Sequence, residues 1–123
     1  AKKKYFNFLV FLSKDDRTIL EKRQGKGIWQ NLYQFPLIET EKNITAKVLG
    51  SLIEDHSLLK NQAYEMTLYN KDTIVHKLSH QHLYTKFWIL NIDKLGKEAI
   101  STDKIRDYAV PILIGDFIEA FNF

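Results

Sequence analysis

The chain has 123 residues, 45% hydrophobic and 27% charged, a length and balance that suit one domain burying its own core. A formal net charge of +3 and a pI near 9.0 lean toward polyanionic partners, through sequence-independent attraction to phosphate. The absence of cysteine fits a reducing compartment and excludes a thiolate-held metal, an iron–sulfur cluster and a cysteine nucleophile; no apolar run approaches the ~20 residues of a membrane helix.

The chain begins at Ala1 without methionine and continues Lys2-Lys3-Lys4. This beginning suggests a piece of something longer, with residues 1–4 closing an interdomain linker and 1–123 making a single domain. "YFNFLVFLS" (5–13) is aromatic and β-branched enough for a buried strand. "KDDR" then reads as a turn and "TILEKR" (18–23) as its hairpin partner. "QGKG" (24–27) is a glycine loop, and "IWQNLYQFP" (28–36) has the spacing of neither strand nor helix.

From Thr45, a plausible N-cap, the period changes. Ile44, Val48, Leu49, Leu52 and Ile53 mark a helical face. "AYEMTLYN" and "DTIVHKL" predict two strands or one broken strand, and "LYTKFWILNI" (83–92) a further one. A polar connection, "DKLGKEAISTD", leads to a terminal helix with Pro111 at its first position and Ile114, Phe117, Ile118 and Phe121 at helical spacing. This order of elements is an α+β (mixed α/β) layout.

Between the last predicted strands lies "HKLSHQH" (76–82). On one strand His76, His80 and His82 would share a face, but no cysteine or nearby carboxylate completes a zinc set. The same lack of partners weakens a catalytic-base reading.

Three stretches, in order, resemble the C-terminal domain of MutY-type adenine DNA glycosylases. "ILEKRQGKGIWQNLYQFP" (19–36) is similar to that family's "leKRp..GiW.gLw.FP" signature, "HKLSH" (76–80) to its His-x-Phe-Ser-His segment, and "YAVPILIGDFI" (108–118) to its closing helix. Asn31 and Tyr33 stand where the family often has glycine and tryptophan, and Leu78 where it often has phenylalanine. The resemblance implies a Nudix-like fold, a mixed β-sheet flanked by helices. It further implies a non-catalytic, monomeric module of base excision repair that recognises 8-oxoguanine opposite adenine in double-stranded DNA, in a bacterial cytoplasm. Adenine excision and the iron–sulfur cluster would belong to the N-terminal catalytic domain of the same chain; without cysteine, this domain itself would hold no cofactor.

A Nudix-like fold raises a rival: a magnesium-dependent nucleotide pyrophosphohydrolase acting on oxidised dGTP, which needs several converging carboxylates. The Nudix pattern Gly-x5-Glu-x7-Arg-Glu-apolar-x-Glu-Glu-x-Gly survives poorly. Gly50 and Ser51 replace its Arg-Glu, Lys42 its earlier glutamate, Pro36 its opening glycine and Ser57 its final glycine, leaving Glu54 and Asp55. The box is degenerate. A third reading is a docking domain that orients the catalytic domain or holds a partner protein.

Within the resemblance, Leu78-Ser79-His80 is the lesion-reading loop. In 8-oxoguanine N7 becomes a donor and C8 gains a carbonyl, whereas guanine's major-groove edge offers only acceptors. A serine hydroxyl both donates and accepts, so Ser79 can match the altered edge. His80 would contact phosphate or support the loop, and Leu78 would press on a base step as apolar wedges do. Lys22, Arg23 and Lys26 around the glycine loop, with Lys77, are the candidate phosphate contacts. Trp29 and Phe35 are expected to anchor the core or the loop.

Overall fold

The computed structural model describes all 123 residues. Two twelve-residue strands, β1 (Lys2–Ser13) and β8 (Gln81–Ile92), run parallel and in register from Lys2 opposite Gln81 to Ser13 opposite Ile92. Parallel strands buried on both faces read as continuous apolar runs, which is why both stretches lack alternation. On the outer edge of β1 lies antiparallel β5 (Leu37–Thr40), anchored by Leu9 N–H donating to Pro36 O at 2.8 Å. The outer edge of β8 is shared by β6 (Tyr64–Leu68) and β7 (Ile74–Lys77), both antiparallel. Asn70 bridges the gap between them: its amide donates to Thr85 O at 2.9 Å and its Oδ1 accepts from Phe87 N–H at 2.8 Å. The "AYEMTLYN…DTIVHKL" segment is therefore two strands.

Each face of this sheet carries a core. Phe6, Phe8, Val10, Phe87 and Ile89 meet Leu113, Ile114, Phe117 and Ile118 of α2 (Ile112–Phe121), with the rings of Phe87 and Phe117 stacked at 4.1 Å. On the opposite face Leu9, Phe11, Trp88 and Leu90 meet Leu49 of α1 (Ala46–Leu52) and Ile53 just beyond it. Thr45 caps α1 by accepting from Val48 N–H. The predicted face of α1 splits: Leu49 and Ile53 point inward, whereas Val48 and Leu52 are 45% and 54% exposed. A helix of seven residues packs only its i, i+4 pair. At the other helix Pro111 is the cap rather than the first helical residue, and Asn122 closes the end in a left-handed conformation. No helix is long and apolar enough to cross a membrane.

Two expectations change. Strand β1 begins at Lys2, so the lysines assigned to a linker belong to the sheet. The 5–13/18–23 hairpin does not form: the ladder partners of β1 are β8 along its whole length and β5 along Tyr5–Phe8, and the second segment pairs elsewhere. The second segment breaks instead into β2 (Arg17–Thr18), paired with β9 (Ile100–Ser101), and β3 (Glu21–Lys22), paired with β4 (Tyr33–Gln34). Arg17 secures the turn by donating to Leu95 O at 2.6 Å and Gly96 O at 3.1 Å while pairing with Asp15. The Ser13 hydroxyl donates to Asp15 and, with the Arg17 charge, lowers that carboxyl's pKa. β9 and the 3-10 turn Thr102–Asp107 also give structure to the predicted polar connection.

A polar group of side chains ties the sheet to the segment entering α1. Trp88 Nε1 donates to Asn7 Oδ1 at 3.0 Å, and the Asn7 amide donates to Ile38 O and Thr40 Oγ1. Lys86, 9% exposed, donates to Ile44 O at 2.8 Å and lies 5.6 Å from the Trp88 ring centre. Burial disfavours its ammonium form and lowers its pKa from the ordinary 10.5. The unfolded chain therefore holds this proton to higher pH than the folded one. Lys86 thus makes stability rise as pH climbs through its lowered folded pKa toward 10.5. In urea unfolding, wild type should gain stability relative to Lys86→Met between neutral pH and about pH 10; a constant difference would contradict the assignment.

Candidate nucleic-acid interface

The register of β7 and β8, with Lys77 opposite His82, leaves Leu78 to Gln81 as a tight hairpin turn. Leu78 N–H donates across it to Gln81 O at 2.8 Å. Lys2 N–H donates to His80 O at 3.3 Å, so the start of β1 pins the same turn from the side. Neither Ser79 nor His80 takes a positive φ, which suits residues that carry a Cβ. Both are exposed, whereas Leu78 is half-buried and packs against the α2-side core. Of the three predicted residues, Ser79 and His80 are thus presented to solvent and Leu78 anchors them.

Beside this hairpin sits the "QGKGIWQNLY" loop. Three of its residues are left-handed within five positions: Gly27 at φ 126°, Trp29 at 59° and Asn31 at 70°. Glycine accepts that region freely, but a bulky residue there costs about 1–2 kcal/mol. Packing repays Trp29: its ring meets Phe6 edge-on at 6.1 Å and His76 at 6.1 Å, at the root of the hairpin. Phe35, two residues past β3's partner Tyr33, is fully buried. Both are anchors, as expected from the sequence.

Arg23 closes this loop. Its guanidinium donates to Ile28 O at 3.2 Å and Gln34 Oε1 at 3.4 Å, while its backbone exchanges bonds with Asn31 and Leu32. This predicted phosphate contact therefore faces its own loop. Lys22, Lys26 and Lys77 are exposed. Lys2 and Lys3, which as a basic linker would also favour phosphate, are set by the parallel register opposite Gln81 and His82, beside the turn. Three lysines at the start of the chain resemble a linker, and only the pairing of β1 with β8 reveals their position.

The three histidines do not converge. His76 lies against Trp29 on the α2 side of the sheet, His80 is at the turn, and His82 faces the opposite side, next to Lys77 and Lys3 in register. The turn breaks the single strand face that their spacing suggests. Nowhere do three His, Asp or Glu side chains gather as metal ligands would.

A family model described as NUDIX domain matches residues 7–120. The chain belongs to the NUDIX domain family. No curated protein matches it in sequence. Among solved structures, this NUDIX domain superposes on the C-terminal domain of mouse MUTYH, determined in complex with human PCNA, with a TM-score of 0.68 and 14% identity, covering 96% of this chain and 86% of that one. The E. coli ORF135 protein superposes with a TM-score of 0.54 and 12% identity, over 98% and 94% of the two chains. At these identities the likeness is one of fold. In this NUDIX domain Glu54 and Asp55 are exposed just after α1, and Ser51 turns back to donate to Lys47 O.

The two cations of the glycine loop should respond differently to removal. Arg23→Gln strips charge-assisted bonds from two acceptors and should cost about 1–3 kcal/mol in urea unfolding followed by tryptophan fluorescence. Lys26→Gln should stay within about 0.5 kcal/mol of wild type. Equal, negligible effects would show that Arg23 does not hold the loop.

Proposed function

We propose that this chain is the non-catalytic, lesion-reading domain of a MutY-type adenine DNA glycosylase, recognising 8-oxoguanine opposite adenine. One observation carries the reading: Ser79 and His80 project from a turn braced by Leu78, the Trp29 loop and Lys2. The sequence segment similar to the family's Ser-His motif is thus a pre-formed, solvent-facing group, in a fold shared with the mouse MUTYH C-terminal domain.

The chemistry follows from the lesion. Ser79 can accept from the N7–H that only the oxidised base has, or donate to its new carbonyl. His80 extends toward phosphate, and Lys2, Lys3, Lys22, Lys26 and Lys77 supply sequence-independent attraction. Leu78 acts from below, holding the turn in place. Adenine excision, and the iron–sulfur cluster, belong to the helical domain preceding this one, with which it works as a monomer in the bacterial cytoplasm. Pyrophosphate hydrolysis is disfavoured by the scattered carboxylates.

In the protein that includes the catalytic domain, Ser79→Ala with His80→Ala should lower the preference for 8-oxoguanine:adenine over guanine:adenine by roughly ten- to hundredfold, equivalent to ~1–3 kcal/mol. Single-turnover adenine excision on the two duplexes measures it. An unchanged preference would remove this turn from lesion reading, and magnesium-dependent pyrophosphate release from 8-oxo-dGTP would favour the hydrolase.

A further inference from the structure

Helix α1 covers only part of its side of the sheet. Beyond Asn7 and Lys86 the strands continue without a helix above them, and their register sets two rows of side chains on this face. One row is Lys3, His82 and Lys77; the next is Tyr5, Tyr84 and Val75. Elsewhere the same strands bury phenylalanines, such as Phe8, Phe11 and Phe87. Here they carry two half-buried tyrosines whose rings stack at 5.3 Å and 29°, with the Lys3 ammonium 5.2 Å from the Tyr84 ring centre. Val75 beside them is 41% exposed.

The charge of this face is one-sided. No aspartate or glutamate occupies a registered position on it; Glu39 lies opposite Phe6 on the other face and pairs there with Lys4, and Glu41, past the end of β5, lines the edge cavity with Lys2 to Lys4. Aromatic rings on an open sheet, flanked by cations and with no carboxylate in their registered rows, match the needs of an unpaired nucleic-acid strand, which offers base faces to stack and phosphates to neutralise. A duplex offers only its phosphates to such a surface. The platform is also continuous with the turn: His82 follows His80 by two residues, and Lys2, which binds His80 O, precedes Lys3.

We propose that the Tyr5–Tyr84 platform, with Lys3, Lys77 and His82, binds a single-stranded stretch of nucleic acid by stacking its bases and neutralising its phosphates. The two stacking rings lie outside the lesion-reading turn, and their role does not require that reading to hold; Lys3 and Lys77 border both.

The test uses the 123-residue chain and a fluorescein-labelled oligothymidylate about 12 nucleotides long, followed by anisotropy. Tyr5→Leu with Tyr84→Leu should weaken binding about tenfold or more, while Tyr5→Phe with Tyr84→Phe, which keeps both rings, should stay within about twofold of wild type. Lys3→Gln with Lys77→Gln should reduce the slope of log affinity against log salt by about 1.4, the release expected for two single-strand phosphates. Lys60→Gln, an exposed cation outside the platform and the turn, should leave oligothymidylate affinity within about twofold of wild type. Circular dichroism of each variant verifies the fold. Equal binding of an abasic phosphodiester chain, binding confined to phosphatidylserine vesicles, or leucine variants as tight as wild type would each overturn the proposal.

Discussion

The parallel pairing of β1 with β8 is the constraint on which the rest of this molecule depends. Twelve residues on each side pair in one register, joining the first strand to one that begins almost 70 residues later. Because both strands are interior, each face needs its own cover, and the chain supplies α2 on one side and α1 on the other. The same pairing brings the start of β1 against the β7–β8 turn, while β2 and β3 join small peripheral ladders. A one-residue slip would turn Trp88 and Phe87 to opposite faces and destroy both cores at once.

The turn that carries Ser79 and His80 is braced by contacts that lie outside it. Leu78 sinks toward the α2-side core, Lys2 holds the His80 carbonyl, and Trp29 packs at the hairpin's root from a left-handed backbone position. That conformation persists only because the surrounding contacts outweigh its cost. Arg23 supplies much of the framework by closing the glycine loop from within. Such bracing is what the proposed lesion reading requires, since any ordering left until binding reduces the affinity and discrimination a group can give.

The sequence is legible where a local rule acts alone. Thr45 caps α1, Pro111 introduces α2, and the apolar runs at 5–13 and 83–92 become the central strands. Leu78-Ser79-His80 is a turn between two strands as expected, though only the resemblance to a family motif singled out Ser79 and His80 within it. What escaped was set by distant pairing. The expected hairpin failed because residues 17–18 and 21–22 pair with β9 and β4, which lie far along the chain or beyond the glycine loop, and no local propensity records those partners. Lys2 to Lys4 looked like linker because lysines rarely open a buried strand, yet twelve residues of pairing with β8 hold them in the sheet. The histidines looked like a cluster because spacing along the chain ignores the turn that sends them to different faces. The role of Arg23 was hidden for a similar reason: a basic residue beside a glycine loop could equally face solvent or fold back on that loop.

Recognition of the oxidised base by the β7–β8 turn is the central claim, and backbone amide NMR tests it on the chain itself, since weak binding is sufficient for that method. Uniformly labelled protein would be titrated with two duplexes that differ only in carrying 8-oxoguanine or guanine opposite adenine. The account predicts that the Ser79 and His80 amides shift differently with the two duplexes, while Lys22 and Lys26 respond alike to both and Glu54 and Asp55 respond to neither. Identical shifts of Ser79 and His80 with both duplexes, or lesion-dependent shifts centred on α1, would contradict it.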